Sequence, residues 1–294
     1  MSLGDRESTY EGHERLKTAY YRARSKKSLE DGYDICAYGA LVHFKRGDYQ
    51  CGLELAIMML DAYGDDMVEY SAQSKQRVML LIGQYPKGGS AVPEEQLVSG
   101  MQQMKHRSIM WLNKVGNSPS IDELKRVIYL KAGLYTSDVL GWEGLGMALP
   151  DMVRAGDVDR LYNDVLVQSV SRVSAFEQDL IVGRTMLHIL EYIPIERKKE
   201  ACAMAMQLYD KSGTHDAHST ATSVYYIVLA FQRGSLDLAR ASIQILADGK
   251  GCARDPSILE FCNNVLLPKY CPQRGGYDPL SSMLQGLFQS ASSS

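Results

Sequence analysis

The sequence predicts an all-α protein, an α-solenoid of about seven stacked antiparallel helix pairs by the usual repeat length of 34 to 45 residues. Three observations lead there. Apolar residues recur at helical spacing along the chain, and no run alternates as a strand ladder would. A helix-stop, helix-start signal returns three times: Arg46-Gly47-Asp48, Arg154 with Gly156-Asp157, and Arg233-Gly234-Ser235. Apolar helical patterns flank each of these turns, so each is one antiparallel pair that must stack on neighbours to bury its apolar face.

The elements follow in order. "EGHERLKTAYYRAR" sets Leu16, Ala19, Tyr20 and Ala23 on one stripe. "YDICAYGALVHF" offers Ile35, Tyr38, Ala40, Leu41, Val42 and Phe44, and "LELAIMML" offers Leu53, Ala56, Ile57 and Leu60. Between them, Gly47 supplies the left-handed residue that ends a helix, Lys45 and Arg46 complement its carbonyl end, and Asp48 is placed to cap the next helix or to stabilise it through the helix dipole. Arg46 to Asp48 also spell an adhesion-receptor tripeptide, but the turn accounts for every residue in it. "EEQLVSGMQQMKHRSIMWL" carries Leu97, Met101, Met104, Ile109 and Leu112. "IDELKRVIYLKAGLYTSDVLGW" follows with Ser120 as its expected cap. "AFEQDLIVGRTMLHILEYI" stops before Pro194, "ERKKEACAMAMQLYDKSG" stops at Gly213, and "PSILEFCNNVLLPKY" starts at Pro256 as a first helical position.

Composition narrows the function. The chain has 294 residues, 45% of them hydrophobic, and a net charge of -3 from 32 basic and 35 acidic side chains, which gives no global reason to expect nucleic acid. Its first residues, "MSLGDRESTY", hold no apolar run, and the longest apolar stretches fall short of the roughly 20 residues of a membrane helix. The expected location is therefore the cytosol or nucleus, where the scattered cysteines serve as small apolar fillers. The only metal-like grouping is His215, Asp216 and His218, in a Ser/Thr-rich loop without a third ligand at fixed spacing. No phosphate loop, no Gly-x-Ser-x-Gly and no other catalytic constellation occurs, so neither an enzyme nor a cofactor is expected. What stands out is charge: "HERLKTAYYRARSKK" holds Arg15, Lys17, Arg22, Arg24, Lys26 and Lys27 against the single acid Glu14, either a solvated helix face or a docking surface for an acidic partner. At the other end, Leu280, Met283, Leu284, Leu287 and Phe288 form a short apolar stripe beyond Gly275-Gly276, suited to the last helix pair or to another protein.

The N-terminal stretch "YEGHERLKTAYYRARSKKSLEDGYDICAYGAL" resembles the Golgi-to-ER traffic protein 4 family, adaptors of the guided-entry pathway for tail-anchored membrane proteins. The resemblance rests on Tyr10, Glu11 and His13, on Lys17-Thr18, on the basic "RSKK", and on Gly39-Ala40-Leu41. It continues through "CGLEL" with Glu54, through "NSPSIDEL", through Arg254-Asp255-Pro256, and through "GGYDPLSSMLQGL".

The resemblance implies a non-enzymatic adaptor. Its N-terminal half, residues 1–140, would dock the cytosolic targeting ATPase, and its C-terminal half, residues 141–294, a ubiquitin-like partner that brings a co-chaperone. The ATPase-facing residues it implies are Arg15, Arg22, Arg24, Ser25, Lys26, Lys27 and Glu54. Ser25 stands where fungal members place a contacting arginine. Tyr225, Tyr226, Leu229, Leu284 and Phe288 are the expected contacts of the ubiquitin-like partner. Two departures bear on these contacts: only nine residues precede Tyr10, where members carry a further basic helix, and the segment around "KSGTHDAHSTAT" is shorter than the family's hairpin insertion. The alternative is a helical-repeat scaffold of a different multiprotein complex.

Overall fold

The computed structural model describes residues 3–87, 92–167, 173–213, 216, 219–248 and 255–272. Among these residues every regular element is helical, as the α-solenoid class requires. The chain divides into two compact units, Met1–Ser174 and Ala175–Ser294.

The first unit runs α1 (Leu3–Ser25), α2 (Leu29–Arg46), α3 (Tyr49–Asp65), α4 (Ala72–Gly83), α5 (Glu94–Val115), α6 (Pro119–Leu140) and α7 (Leu145–Ala155), then α8 (Val158–Arg160), which widens into a π turn at Leu161–Leu166. Successive helices pack as hairpins, α1 on α2, α2 on α3, α5 on α6 and α6 on α7. An aromatic chain fills their core. Tyr33 meets Tyr63 edge-on at 4.9 Å, Tyr63 meets Trp111 at 5.0 Å, and Phe44 meets Tyr85 at 5.3 Å. Trp111 is fully buried, and its indole N–H donates to the Val68 carbonyl at 2.7 Å, so the large apolar ring costs no unsatisfied donor. Helices α1, α2 and α3 converge at Gly39, where an added Cβ would lie 2.8 Å from Leu55 Cδ1 and 2.9 Å from Leu16 Cδ1.

The second unit contains α9 (Ala175–Tyr192), α10 (Lys198–Ser212), α11 (Thr220–Arg233), α12 (Leu236–Ala247) and α13 (Ser257–Phe261), the last continued by a π turn and a final turn to Tyr270. Its fully buried residues include Met186, Leu190, Cys202, Leu208, Ile227 and Phe231.

The turns form as expected. Gly47, Gly156 and Gly234 all take positive φ, at 81°, 75° and 70°. Two of them close identically: Asp48 N–H donates to the His43 carbonyl at 2.9 Å and Ser235 N–H to the Ala230 carbonyl at 3.1 Å, the six-to-one bond of a Schellman end. The Asp157 carboxylate caps Arg160 N–H and the Ser235 hydroxyl caps Leu238 N–H.

Several finer expectations are corrected. Asp48 occupies the cap position of α3 but makes no capping bond, because its carboxylate turns back toward His43. The cap of α6 is Ser118, which accepts from Ile121 N–H, and not Ser120; Pro119 takes the first turn and fixes the boundary there. Pro256 is the cap of α13 rather than its first helical residue. Tyr38, read as part of the apolar stripe of α2, is 70% exposed, and the buried stripe runs through Tyr33, Cys36, Ala37, Ala40 and Phe44. The tripeptide at Arg46 is a turn whose aspartate side chain is almost wholly buried, which leaves no free carboxylate for a receptor.

Candidate functional site

The basic stretch occupies the C-terminal half of α1 and the turn after it. Helical spacing puts Arg15 and Arg22 on the outward side, opposite the buried Tyr20 and Ala23. Arg22, Ser25, Lys26 and Lys27 are exposed, and Arg15 is exposed beside Glu11 at 3.6 Å. Ser25 closes the helix, its hydroxyl donating to the Tyr21 carbonyl at 2.9 Å. Lys27 turns the chain with φ 60°, a left-handed conformation that costs a non-glycine residue and holds the loop sharply bent.

Two other predicted residues are placed differently. Arg24 points inward along the helix side and grips Asp66 at the end of α3 with both terminal nitrogens, at 2.5 and 2.8 Å. Tyr33 donates to the same carboxylate at 2.7 Å. The guanidinium hydrogen bonds first, and the tyrosine after it, hold the Asp66 carboxyl below the usual carboxylate range. The charge of Arg24 is therefore engaged by Asp66, joining α1 to α3, although the side chain stays half-buried.

Glu54 on α3 is likewise engaged. Lys17 Nζ donates to it at 2.7 Å and His13 Nε2 lies 2.8 Å from its other oxygen. The Lys17 hydrogen bond is the largest cause of a depressed Glu54 carboxyl, and it raises Lys17 in turn. Glu54 remains about half exposed and borders an open groove of about 540 Å³ between α3 and α5, whose apolar wall is Leu53, Ile57 and Met58. The structure thus brings Arg15, Arg22, Ser25, Lys26 and Lys27 to one helix and its exit, and sets Arg24 and Glu54 into the fastening of that helix. His13 belongs to the motif that carries the resemblance, but its pairing with Glu54, like that of Arg24 with Asp66, has no local signal in the sequence, since the contacts span 41 and 42 residues.

In the second unit, Tyr225 stacks on Tyr209 with centroids 4.6 Å apart, and Tyr226 beside it is half exposed. Leu229 follows one turn later, partly buried. Helix α11, which carries all three, is held at its start by Asp179, whose carboxylate accepts from the Thr220 and Ala221 N–H groups at 2.6 and 2.9 Å. Leu284 and Phe288 lie outside the described residues, as do His215 and His218. Among the described residues no group of three or more His, Cys, Asp or Glu is placed to hold a metal ion, and no helix is long and apolar enough to cross a membrane.

Comparison with known proteins agrees with this architecture. A relative from Schizosaccharomyces pombe, "Golgi to ER traffic protein 4", is 26% identical over 186 residues, 63% of this chain and 56% of that protein, so the chain spans little more than half of that relative's length. The crystal structure of C. therm. Get4 superposes with a TM-score of 0.54 at 15% identity, covering 96% of this chain and 90% of that one, a likeness of fold. The family model for Golgi to ER traffic protein 4 matches residues 26–267, most of the chain. The chain belongs to the Golgi to ER traffic protein 4 family.

Proposed function

We propose that this protein is a non-enzymatic adaptor in the targeting of tail-anchored membrane proteins to the endoplasmic reticulum, linking a ubiquitin-like partner and its co-chaperone to the cytosolic targeting ATPase. The family match across residues 26–267 carries the reading. The N-terminal half, residues 1–140, is the ATPase-docking part in this proposal, and residues 141–294 take the ubiquitin-like partner. Support for the first assignment comes from the exposed cations on α1 and its exit, Arg15, Arg22, Lys26 and Lys27, which a partner with an acidic face would meet without displacing internal contacts. Support for the second comes from the half-exposed Tyr226 beside Tyr225 and Leu229, aromatic and apolar surface of the kind that anchors interfaces.

The deciding experiment is calorimetric titration against the targeting ATPase of the same organism, with and without ATP, at two salt concentrations. Nucleotide-favoured binding that weakens as salt rises is the expected result, because exposed ion pairs are screened. Absence of binding under all four conditions refutes the docking assignment. Purification of the chain with a different assembly would then favour a scaffold in another complex.

A further inference from the structure

The molecule contains a buried pair of titratable rings that the docking role does not use. His13 on α1 is 2% exposed and His43 on α2 is 3% exposed. Their rings meet edge to face with centroids 5.5 Å apart. Each has one nitrogen toward a carboxylate of the third helix or its cap, His13 Nε2 at 2.8 Å from Glu54 and His43 Nδ1 at 3.5 Å from Asp48. The other nitrogen of each ring, His13 Nδ1 and His43 Nε2, is buried without a hydrogen-bond partner.

We propose that His13 and His43 form an acid-opened clasp that fastens α1 to α2 and α3. A neutral imidazole has one N–H and one lone pair, so a ring that donates to a carboxylate can leave a bare lone pair buried at modest cost. Protonation turns that lone pair into a second N–H with nothing to accept it, in a site closed to water. It also sets two cations against each other across 5.5 Å. The surrounding charges do not cancel this. Glu54 is shared with Lys17 at 2.7 Å, Asp48 stands at a long 3.5 Å, and Arg46 adds a repulsive charge beside His43. Burial is the largest cause that pushes His43 below the ordinary histidine range.

The direction follows from linkage. A ring that takes up a proton more readily in the open than in the closed state stabilises the closed state above the ordinary histidine range and loses that contribution as pH falls through it. The proton that His43 excludes makes opening roughly tenfold easier per pH unit below that range. Opening releases α1, the helix that presents Arg15 and Arg22, and it requires no partner, so the clasp stands or falls independently of the docking assignment.

Hydrogen exchange of the whole chain, corrected for intrinsic rates, tests this between pH 7.5 and 5.5. The amides of residues 11–23 should lose at least about tenfold protection, while those of α9–α11 change less than about twofold. The double variant His13→Gln, His43→Gln, which keeps an amide donor toward each carboxylate but cannot take up a proton, should abolish the selective loss. An unchanged α1, an equal loss in the second unit, or a selective loss that persists in the double variant each overturns the clasp. If the variant does not fold, ring resonances of the natural protein decide. Protonation of the pair in step with the loss of α1 protection supports the clasp, and protonation while α1 stays protected overturns it.

Discussion

The two units are built from the same helix pairs but are fastened differently. In the first, side chains pair across helices: Arg24 with Asp66, Lys17 with Glu54, Arg77 with Glu30 and Asp34, and Lys105 with Asp151. In the second, Arg184 pairs with Asp255, and side chains also hold helix ends. Lys269 donates to the carbonyls of Leu190, Glu191 and Ile193 at 2.8, 2.6 and 2.7 Å, Tyr270 donates to the Leu190 carbonyl at 2.9 Å, and Asp179 receives the first amides of α11. A cross-helix ion pair fixes the register between two helices and depends on the ionisation of both partners. A side chain at a helix end satisfies backbone groups that the helix leaves orphaned, and a charged one also complements the dipole. The first unit should therefore respond to acid and to charge substitutions, the second to loss of single donors or acceptors at its helix ends.

The sharpest break should come at Asp151, 1% exposed and held by Lys105 at 2.8 Å and by Gln102 at 3.1 Å. Lys105→Met strands that carboxylate and should cost about 3–5 kcal/mol in urea unfolding, the penalty of an uncompensated buried charge. Lys269→Met should cost less, about 2–3 kcal/mol, since helix-end carbonyls lose a cation but carry no full charge themselves. Equal costs would erase the distinction between the units.

Arg24→Ala should destabilise by about 1–2 kcal/mol near neutral pH, as expected for a partly shielded bidentate pair. Asp66 gives this difference a pH dependence. Its depressed carboxyl contributes stability that is fully present above the ordinary aspartate range and is lost as pH falls through the depressed folded value. The gap between Arg24→Ala and the natural protein should thus shrink on acidification below about pH 4. A gap that stays constant to acid would mean the pair contributes through packing. Gly234→Ala, at φ 70°, should cost about 1 kcal/mol by forcing a Cβ into the left-handed region. The smallest effect on stability should be that of Arg22→Glu, which faces solvent and should leave the urea midpoint unchanged while weakening the salt-sensitive ATPase docking proposed above. Loss of stability at Arg22 would place it with Arg24 among the internal fastenings.

The sequence by itself determined the class of fold and its turns. Helical spacing and the basic-Gly-Asp/Ser signal are local, set within a few residues by backbone sterics and orphaned amides, so Gly47, Gly156 and Gly234 could be read directly. The resemblance carried by Tyr10 to Leu41 was local too; the family it named is borne out by the match over residues 26–267, which takes in Gly39 to Leu41 and starts after Tyr10 to Thr18. The tertiary structure decided which charges are free. Arg22 and Arg24 stand two residues apart in one basic run, yet a helix turns about 200° between them, so one faces water and the other meets Asp66. The same holds for Glu54 and for His13, which joins α3 across 41 residues. Nothing within a helical turn of these residues names their partners, because contacts at such separations arise only when packed helices bring distant side chains to the same place.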